Sequence, residues 1–384
     1  MKKILIILLL PLTIVLSGCW DVDEPERMLY IHGIGLDYKD GQFEIYAQII
    51  DFSNIAKSDQ PSTSPAQSQV GHAKGKTMEE AFFNLYHSTD QKVFWGTFSY
   101  LLLSENMLKS GEINVVVDSF LRFQEMRYQV WLYGTKDSPK DVLLTTPVIN
   151  KAIILSKLSD PMNSHRQQSY IQPINFRKFI IGLDEPGHEI AIPSISIKEN
   201  WESNEGPAKV ASLEGVAVLS KETLKGFITG DKANGLQWMT NETDKGGLTF
   251  TIDKGEKVDL TVDLSNIKVD IKPNVKNDSA KFNITVKMDA VINGLQAELT
   301  NKDIREGIIK EVKNEIKDTY EEALKQDIDI YRLSEQLYRK DVKAWKKMQK
   351  KGKIALTEDS IDKLTVEITS LKSGKKNFKE TIDK

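Results

Sequence analysis

The sequence predicts an α+β fold: a multi-domain chain of mostly antiparallel sheets with packed helices. Two observations support this class. Strand-like and helix-like segments come in runs without strict strand–helix alternation, which favours hairpins over repeated parallel βαβ units. In addition, 40% of the 384 residues are hydrophobic, which is enough to build two or three separate cores.

The first half of the chain begins with a predicted hairpin and a predicted loop. Residues 29–51 form two strand-like runs joined by Lys39-Asp40-Gly41, which is a turn signal. Residues 53–75 are rich in Ser, Gln and Pro and contain few large apolar side chains. Because such a composition buries too little apolar surface to offset the cost of ordering, we expect a mobile loop there.

Further helices and strands complete a predicted N-terminal domain over residues 19–199. Thr77 and Glu80 fit a capping box that begins a helix. A strand, a helix and a second strand are expected before residue 135, and the next helix carries Pro139 in its first turn. A strand-like run that ends near Lys198 closes this half.

A polar, turn-rich stretch over residues 200–207 is the predicted domain boundary. A C-terminal domain is predicted over residues 208–384, either as one unit or as two subdomains. This domain is expected to contain a hairpin and two strongly alternating strands. Apolar residues then recur at three- and four-residue spacings over residues 304–324 and predict an amphipathic helix. A second helix is predicted over about residues 330–348, and a final strand around Val366.

Cys19 is the only cysteine in the chain, and the residues before it predict its role. A basic start with Lys2 and Lys3 precedes an apolar run over residues 4–16, which is typical of a secretory signal peptide. The run ends in Leu16-Ser17-Gly18-Cys19, which matches a bacterial lipobox. We therefore expect residues 1–18 to be removed and the Cys19 sulfur to carry a diacylglyceryl group, with N-acylation of Cys19 left open. Two acyl chains anchor a protein stably, whereas one does so only marginally.

The remaining composition predicts a water-soluble body outside the cytoplasm, tied to a membrane surface. The formal net charge is −3, which argues against nucleic acid as a partner. No apolar stretch after the signal peptide reaches the roughly 20 residues that a membrane-spanning helix needs. The absence of a second cysteine excludes an intramolecular disulfide.

No motif in the sequence predicts a catalytic, cofactor or metal site, so we expect no enzymatic activity. The segment "GHAKGKT" (residues 71–77) has one residue too few for a phosphate-binding P-loop. "GIGLD" (residues 33–37) lacks the third glycine of a dinucleotide fingerprint, and a strand with a bulge accounts for it better. The five histidines are not at metal-ligand spacing, and neither HExxH nor GxSxG occurs.

Two charged clusters each leave two interpretations open. Arg122, Glu125 and Arg127 are expected either to form an intramolecular ion pair or to bind a partner. A lysine-rich tract over residues 343–353 surrounds Trp345. That tract is either a solvated helix end or a contact with anionic lipid, where each lysine contributes about 1 kcal/mol.

Several segments together resemble the Ger(x)C family, the C subunits of spore nutrient germinant receptors in endospore-forming Firmicutes. The resemblance spans nearly all of residues 19–384. It departs at Gly96-Thr97, where many members have a His, and at Lys232-Ala233-Asn234, where many have an acidic residue ahead of the glycine at Gly235. The segments that carry it are Cys19-Trp20-Asp21, "IHGIGLDY", "YAQIID", "GKTMEEAFFNL", "FWGTFSYLLLSENM", "FLRFQEMRYQVWLYGTKDSPKDVL", "LEGVAVLSKETLKGFITGDKANGLQWM" and "VEITSLKSGKKN".

The resemblance implies a non-enzymatic lipoprotein on the outer face of the spore inner membrane. It also implies assembly with two integral-membrane subunits, A and B, and several mixed α/β domains packed side by side. A substrate-binding lipoprotein of a transporter is the alternative, since it would share the lipobox. Such proteins usually have two lobes of repeated βαβ units, a pattern that this sequence lacks.

Overall fold

The computed structural model describes residues 27–50 and 68–373, apart from 124, 126, 205, 222, 254, 256, 277, 278 and 295–298. The strands of these residues form one nine-stranded and one four-stranded sheet. The first sheet consists of β1 (Met28–Lys39), β2 (Gln42–Ile50), β3 (Ser68–Gly75), β4 (Lys92–Phe94), β5 (Tyr100–Ser104), β6 (Trp131–Thr135), β7 (Ile190–Ser203), β8 (Gly206–Ser220) and β9 (Thr223–Thr229).

The first sheet is parallel at its centre and antiparallel on both sides. Its strand order is β3-β2-β1-β5-β6-β7-β8-β9, and β4 pairs with the beginning of β1. The pairs β1–β5, β5–β6 and β6–β7 are parallel, whereas the outer pairs are antiparallel. The predicted α+β class with antiparallel-rich sheets is confirmed. The parallel centre was not foreseen, because it depends on helical crossovers between strands.

Helices cover both faces of this sheet and bury two apolar cores. One core lies between the sheet and helices α1, α2, α3 and α6. The other lies beneath α4 and the loop that follows it, around Tyr100 and Tyr133. The helices are α1 (Met78–Tyr86), α2 (Glu105–Lys109), α3 (Ile113–Arg122), α4 (Pro139–Leu143), α5 (Pro161–Gln167) and α6 (Phe176–Asp184).

The predicted first hairpin is present as β1 and β2. Asp40 and Gly41 have φ angles of 52° and 73°, as a two-residue turn that follows strand twist requires. The register shifts between Ile31 and Gly33, which confirms the predicted bulge. A Cβ atom on Gly33 would lie 2.4 Å from the Tyr100 ring, so glycine there allows the two strands to pack closely.

The mobile loop predicted over residues 53–75 is wrong for residues 68–75, which form strand β3. This strand pairs with β2 from Phe43↔Gly75 to Ile50↔Ser68, so the segment "GHAKGKT" lies largely in a sheet. His72 stacks on Tyr46 with ring centroids 4.5 Å apart. Composition alone did not predict this strand, because its backbone hydrogen bonds to the edge of β2 compensate for the few apolar side chains. Residues 53–67 lie outside the described residues.

The second half places long strands against long helices. Its sheet has the order β10-β11-β12-β13, antiparallel except for the last pair. A capping box of Thr300 and Asp303 begins α7. The predicted apolar face of that helix, including Ile308 and Ile316, is buried against the sheet. The elements are β10 (Lys245–Asp253), β11 (Lys257–Lys276), β12 (Ser279–Gly294), α7 (Asn301–Lys325), α8 (Leu333–Lys340), α9 (Val342–Met348) and β13 (Ile361–Lys372).

The single helix predicted over residues 330–348 is two helices, α8 and α9. Asp341 interrupts them with φ −146° and ψ 81°, and its carboxylate accepts a hydrogen bond of 2.9 Å from the Ala344 amide. The break directs Trp345 into the core, where its Nε1 donates to the Ser334 hydroxyl at 3.0 Å. The interruption thus buries a side chain that a straight helix would place elsewhere.

The boundary predicted at residues 200–207 lies within a β-hairpin. These residues form the end of the β7–β8 hairpin, which pairs Ser203 with Gly206, and β8 and β9 continue the first sheet. Val216 and Ile228 on these two strands also belong to the core of the second half. The two predicted domains therefore share a sheet and a core.

A 3-10 segment, Gly230–Trp238, joins the two halves by packing on α7. The Gly235 amide donates to the Thr319 hydroxyl at 3.0 Å, and Trp238 is fully buried. A Cβ atom on Gly235 would lie 2.4 Å from the carbonyl oxygen of Glu315. Only glycine permits this approach without moving a helix backbone.

We expect Gly235→Ala to lower the free energy of unfolding by about 1–3 kcal/mol, because the added methyl group displaces α7 or the 3-10 segment. Urea unfolding followed by circular dichroism measures the change. Gly247→Ala is the matched control, since the nearest atom to its Cβ would be 3.9 Å away. Equal effects of the two substitutions would contradict the close-packing account.

Candidate functional site

Cys19 lies outside the described residues, so its lipidation stays a prediction. Strand β1 begins at Met28, nine residues after it. Strands β1, β4, β5, β6 and β7 are parallel, so their first residues lie along one edge of the first sheet. The chain leading from Cys19 enters the fold at this edge.

The same edge exposes a group of apolar side chains, here called the apolar edge: Phe83, Phe94, Leu121 and Tyr128. Their exposed fractions are 61%, 36%, 44% and 53%, respectively. Phe83 and Leu121 lie in the second halves of α1 and α3, both of which return from the opposite edge. Tyr128 precedes β6, and Phe94 ends β4.

Buried aromatic residues support the apolar edge from below. The Trp95 ring contacts the Phe82 and Phe123 rings at centroid distances of 4.9 and 4.8 Å. Its indole Nε1 donates to the Tyr86 hydroxyl at 3.0 Å. These contacts pack α1, the residue after α3 and the residue after β4 against one another.

The first departure from the family pattern lies at this edge. A Cβ atom on Gly96 would lie 2.5 Å from the Phe94 ring, so the glycine lets that ring fold over the backbone. The Thr97 hydroxyl donates to the Ile31 carbonyl at 2.7 Å. These two residues hold Phe94 and tie its loop to β1.

The second departure, Lys232-Ala233-Asn234, lies where the 3-10 segment meets α7. Lys232 pairs with Asp318 at 2.8 Å, and the Asn234 amide donates to Glu315 at 3.1 Å. Burial raises the pKa of Glu315 to about 7, although hydrogen bonds from Trp238 and Asn234 oppose the shift. This part of the chain is structural.

A buried polar network around Glu335 also connects the two halves of the protein. His188 Nδ1 lies 2.7 Å from Glu335 Oε2, and Arg332 and Arg339 also bind the Glu335 carboxylate. Burial alone would raise the pKa of Glu335, but hydrogen bonds from His188 and Arg332 outweigh it and lower the pKa to about 2. Glu335 is therefore ionised at neutral pH and accepts the hydrogen bond from His188 Nδ1.

Two further buried carboxylates, Glu189 and Asp329, lie beside this network. The Asp329 amide donates to Glu189 at 2.6 Å, and Lys353 bridges Glu189 and Asp327 at 3.2 and 3.0 Å. Asp329 accepts hydrogen bonds from the Leu333 and Ser334 amides. Burial raises the pKa of Asp329 to about 7.

The two charged clusters noted in the sequence form ion pairs with residues outside each cluster. Arg122 pairs with Asp118 at 2.7 Å on the exposed face of α3, so the ion pair predicted with its cluster neighbours is replaced by an i,i+4 pair. In the lysine tract, Trp345 is buried and Lys353 belongs to the network between the halves. Sequence reasoning missed Glu189, Asp329 and Glu335, since scattered acids give no local signal.

The histidines do not converge in the fold. His32 Nε2 lies 2.7 Å from the Ser159 hydroxyl, and burial lowers the pKa of His32 to about 4. Within residues 27–50 and 68–373, as described above, no three His, Cys, Asp or Glu side chains are arranged to hold a metal ion. Among the same residues, no helix has the length and apolar character needed to cross a bilayer.

Comparisons with known proteins place both halves of the chain in one group. The model of the "Spore germination protein N-terminal domain" matches residues 21–197, and that of "Spore germination B3/ GerAC like, C-terminal" matches residues 214–369. Spore germination protein B3 of Bacillus subtilis (strain 168) is 24% identical over 73% of this chain and 71% of that protein. Spore germination protein KC of the same strain is 23% identical over 91% of this chain and 90% of that protein.

A solved structure has the same fold. The crystal structure of the GerBC protein matches 92% of this chain and 99% of its own chain, with a TM-score of 0.52 and 17% identity. The family models divide the chain near the predicted boundary, whereas the first sheet continues to Thr229. The division in sequence and the division in structure thus differ by one hairpin.

For the polar network between the halves, we expect Glu335→Gln to lower the free energy of unfolding at pH 7 by roughly 3 kcal/mol, since a buried, multiply paired charge is lost. The pKa of Glu335 is lowered from 4.5 to about 2 in the fold, so its contribution is present above pH 4.5 and is lost as the pH falls towards 2. The stability difference between wild type and variant should therefore shrink over that range. Denaturant unfolding at several pH values measures this difference.

Glu367→Gln is the control for that measurement. Glu367 pairs with Lys287 at 2.9 Å, but both side chains are about half exposed. Its effect should stay below about 1 kcal/mol at neutral pH. A difference between wild type and Glu335→Gln that stays constant from pH 4.5 to 2 would contradict the assignment of the low pKa.

Proposed function

Because the chain belongs to the family of B3/GerAC-like spore germination proteins, we propose that it is a non-enzymatic subunit of a spore nutrient germinant receptor. In this proposal it is a lipoprotein on the outer face of the spore inner membrane, and it docks with the integral-membrane A and B subunits. The match of two family models, one to each half of the chain, carries the proposal. The relatives named above are themselves spore germination proteins.

The lipid anchor is supported by the sequence around Cys19 and by where β1 begins. Nine residues can extend over at most about 32 Å. An acylated Cys19 therefore holds the edge at which β1 starts within that distance of the bilayer. Two acyl chains make such an attachment stable.

Docking is supported by the position of the apolar edge. Phe83, Phe94, Leu121 and Tyr128 lie at the edge of the first sheet where β1 begins, and exposed aromatic residues are typical of protein interfaces. A tethered protein meets membrane partners at a high effective concentration. A modest apolar surface is therefore enough for assembly with an integral subunit.

For the anchor, we expect Cys19→Ala to leave the precursor unlipidated and to move the protein from the membrane fraction to the soluble fraction of spore lysates. Nutrient-triggered germination should decrease, while agents that bypass receptors still act. Fractionation and mass spectrometry of the mature N-terminus measure the effect. Ser17→Ala is the control, because a small residue at that position keeps the lipobox.

Recovery of an acylated mature form from Cys19→Ala spores would show that the lipid is attached elsewhere. A separate outcome concerns the function itself. If spores lacking the protein respond normally to every nutrient and instead lose a transport activity, the transporter interpretation replaces the receptor.

For docking, we expect Phe83→Asp combined with Leu121→Asp to reduce co-purification of the A and B subunits from spore membranes by at least about ten-fold. Charges on an apolar interface must be desolvated, while the same exposed positions tolerate Asp in the free protein. Val115→Asp is the matched control, since Val115 is 40% exposed on the same helix but near its beginning. Unchanged co-purification in the double variant, with the lipid still attached, would place the interface elsewhere.

A further inference from the structure

A cavity of about 510 Å³, here called the loop cavity, lies between the loop that follows α4 and the β7–β8 hairpin. Gln48 of β2, Tyr100 of β5 and the helix α5 also contribute to its wall. This volume is typical of sites for small organic ligands. The aliphatic and indole part of the wall is formed by Val148, Ile153, Leu155, Leu158, Trp201 and Val210.

Three large apolar side chains on this wall are left in contact with water. Ile149, Leu155 and Trp201 have exposed fractions of 81%, 59% and 51%, respectively. Ile149 has φ 55° and ψ 34°, a left-handed conformation that is rare for a β-branched residue. The loop thus holds an apolar side chain at the cavity against both its exposure and its backbone preference, which is typical of functional sites.

Lys157 provides an unpaired charge on the same wall. Its side chain is partly buried, and burial lowers the pKa of its ammonium group. Within the part of the chain that the structure describes, this ammonium has neither an ion pair nor a hydrogen bond, although its nitrogen is not fully enclosed. Because a lysine withdrawn from water is normally paired, Lys157 indicates an anion that binds from outside.

The other polar groups of the wall do not supply that anion. The Tyr100 hydroxyl donates to Gln48 Oε1 at 2.7 Å, and the Gln48 amide nitrogen donates to the Leu143 carbonyl at 2.5 Å. Asp160 is exposed and does not pair with Lys157. Since Lys151 also lies on the wall, the charged residues that line the cavity are two lysines and one aspartate. This balance favours a negatively charged ligand.

We infer that the loop cavity is a binding site for a small organic anion, namely a carboxylate attached to an apolar body. The carboxylate pairs with Lys157, and the apolar body packs on Trp201 and Leu155. This inference goes beyond the receptor proposal and depends neither on the lipid anchor nor on the apolar edge. Its failure and the failure of the receptor proposal can therefore be distinguished.

The test uses the purified full chain in detergent, with detergent alone as the blank, and two probes, 4-fluorobenzoate and 4-fluorobenzamide. They have the same ring and nearly the same shape, but only the benzoate is charged at pH 7. We expect the benzoate to bind saturably in a fluorine NMR titration, with a Kd on the order of 1 mM. The benzamide should bind at least about ten-fold more weakly, because it forms no charge-assisted bond with an ammonium group.

Lys157→Met should weaken benzoate binding by about ten-fold and leave benzamide binding unchanged, since it removes the charge and keeps most of the side-chain volume. The variant should fold, because it removes a partly buried charge that has no partner, and urea unfolding checks this. Lys140→Met is the matched control. Lys140 is exposed on α4 and does not line the cavity, so the net charge changes equally while both affinities should stay the same.

Trp201→Ala tests the apolar part of the site. Trp201 is half exposed, so the substitution should leave the fold intact. Both probes lose the same packing surface, and we expect each to bind about five-fold more weakly.

Three results would overturn the inference. Equal affinity for the benzoate and the benzamide would mean that the cavity does not recognise charge. Equal loss of benzoate binding in Lys157→Met and Lys140→Met would mean that only the net charge of the protein matters. The absence of saturable binding up to about 20 mM would mean that the cavity holds water alone.

Discussion

The contact between the 3-10 segment Gly230–Trp238 and helix α7 is the constraint on which the arrangement of the two sheets depends. Gly235 approaches the α7 backbone, and Trp238 fills the space beside it, with its indole donating to Glu315. Since strand β9 leads directly into this segment, the last strand of the first sheet is joined to the main helix of the second half. The shared core that results makes the protein one packed unit.

Two features follow from this union of the halves. Polar groups that would be hydrated on separate domains are enclosed together, so Glu335 is held as a buried carboxylate by His188 and two arginines. The two surfaces do not fit together completely, and a cavity of about 370 Å³ remains between α6, β7 and the 3-10 segment.

The parallel centre of the first sheet has a different consequence. Because β1, β5, β6 and β7 begin on one edge, the chain from Cys19, the end of β4 and the approach to β6 come together there. Helices α1 and α3 end near the same edge. An apolar surface is thus built next to the chain entry from Phe83, Phe94, Leu121 and Tyr128, which are spread over 45 positions of the chain. These residues belong to no motif or repeat, so no local pattern predicts the surface.

The sequence by itself determined the features that local chemistry controls: the class of fold, the Asp40-Gly41 hairpin, the bulge near Gly33, the Thr77 cap and the buried face of α7. The spacing of apolar residues and the preferences of turn residues act within a few residues, so they can be recognised from the sequence alone. Only the tertiary structure decided the strand at residues 68–75, the break at Asp341, the continuation of the first sheet past residue 207 and the buried polar network around Glu335. Each of these depends on partners distant in the chain, whose backbone hydrogen bonds and packing override local composition.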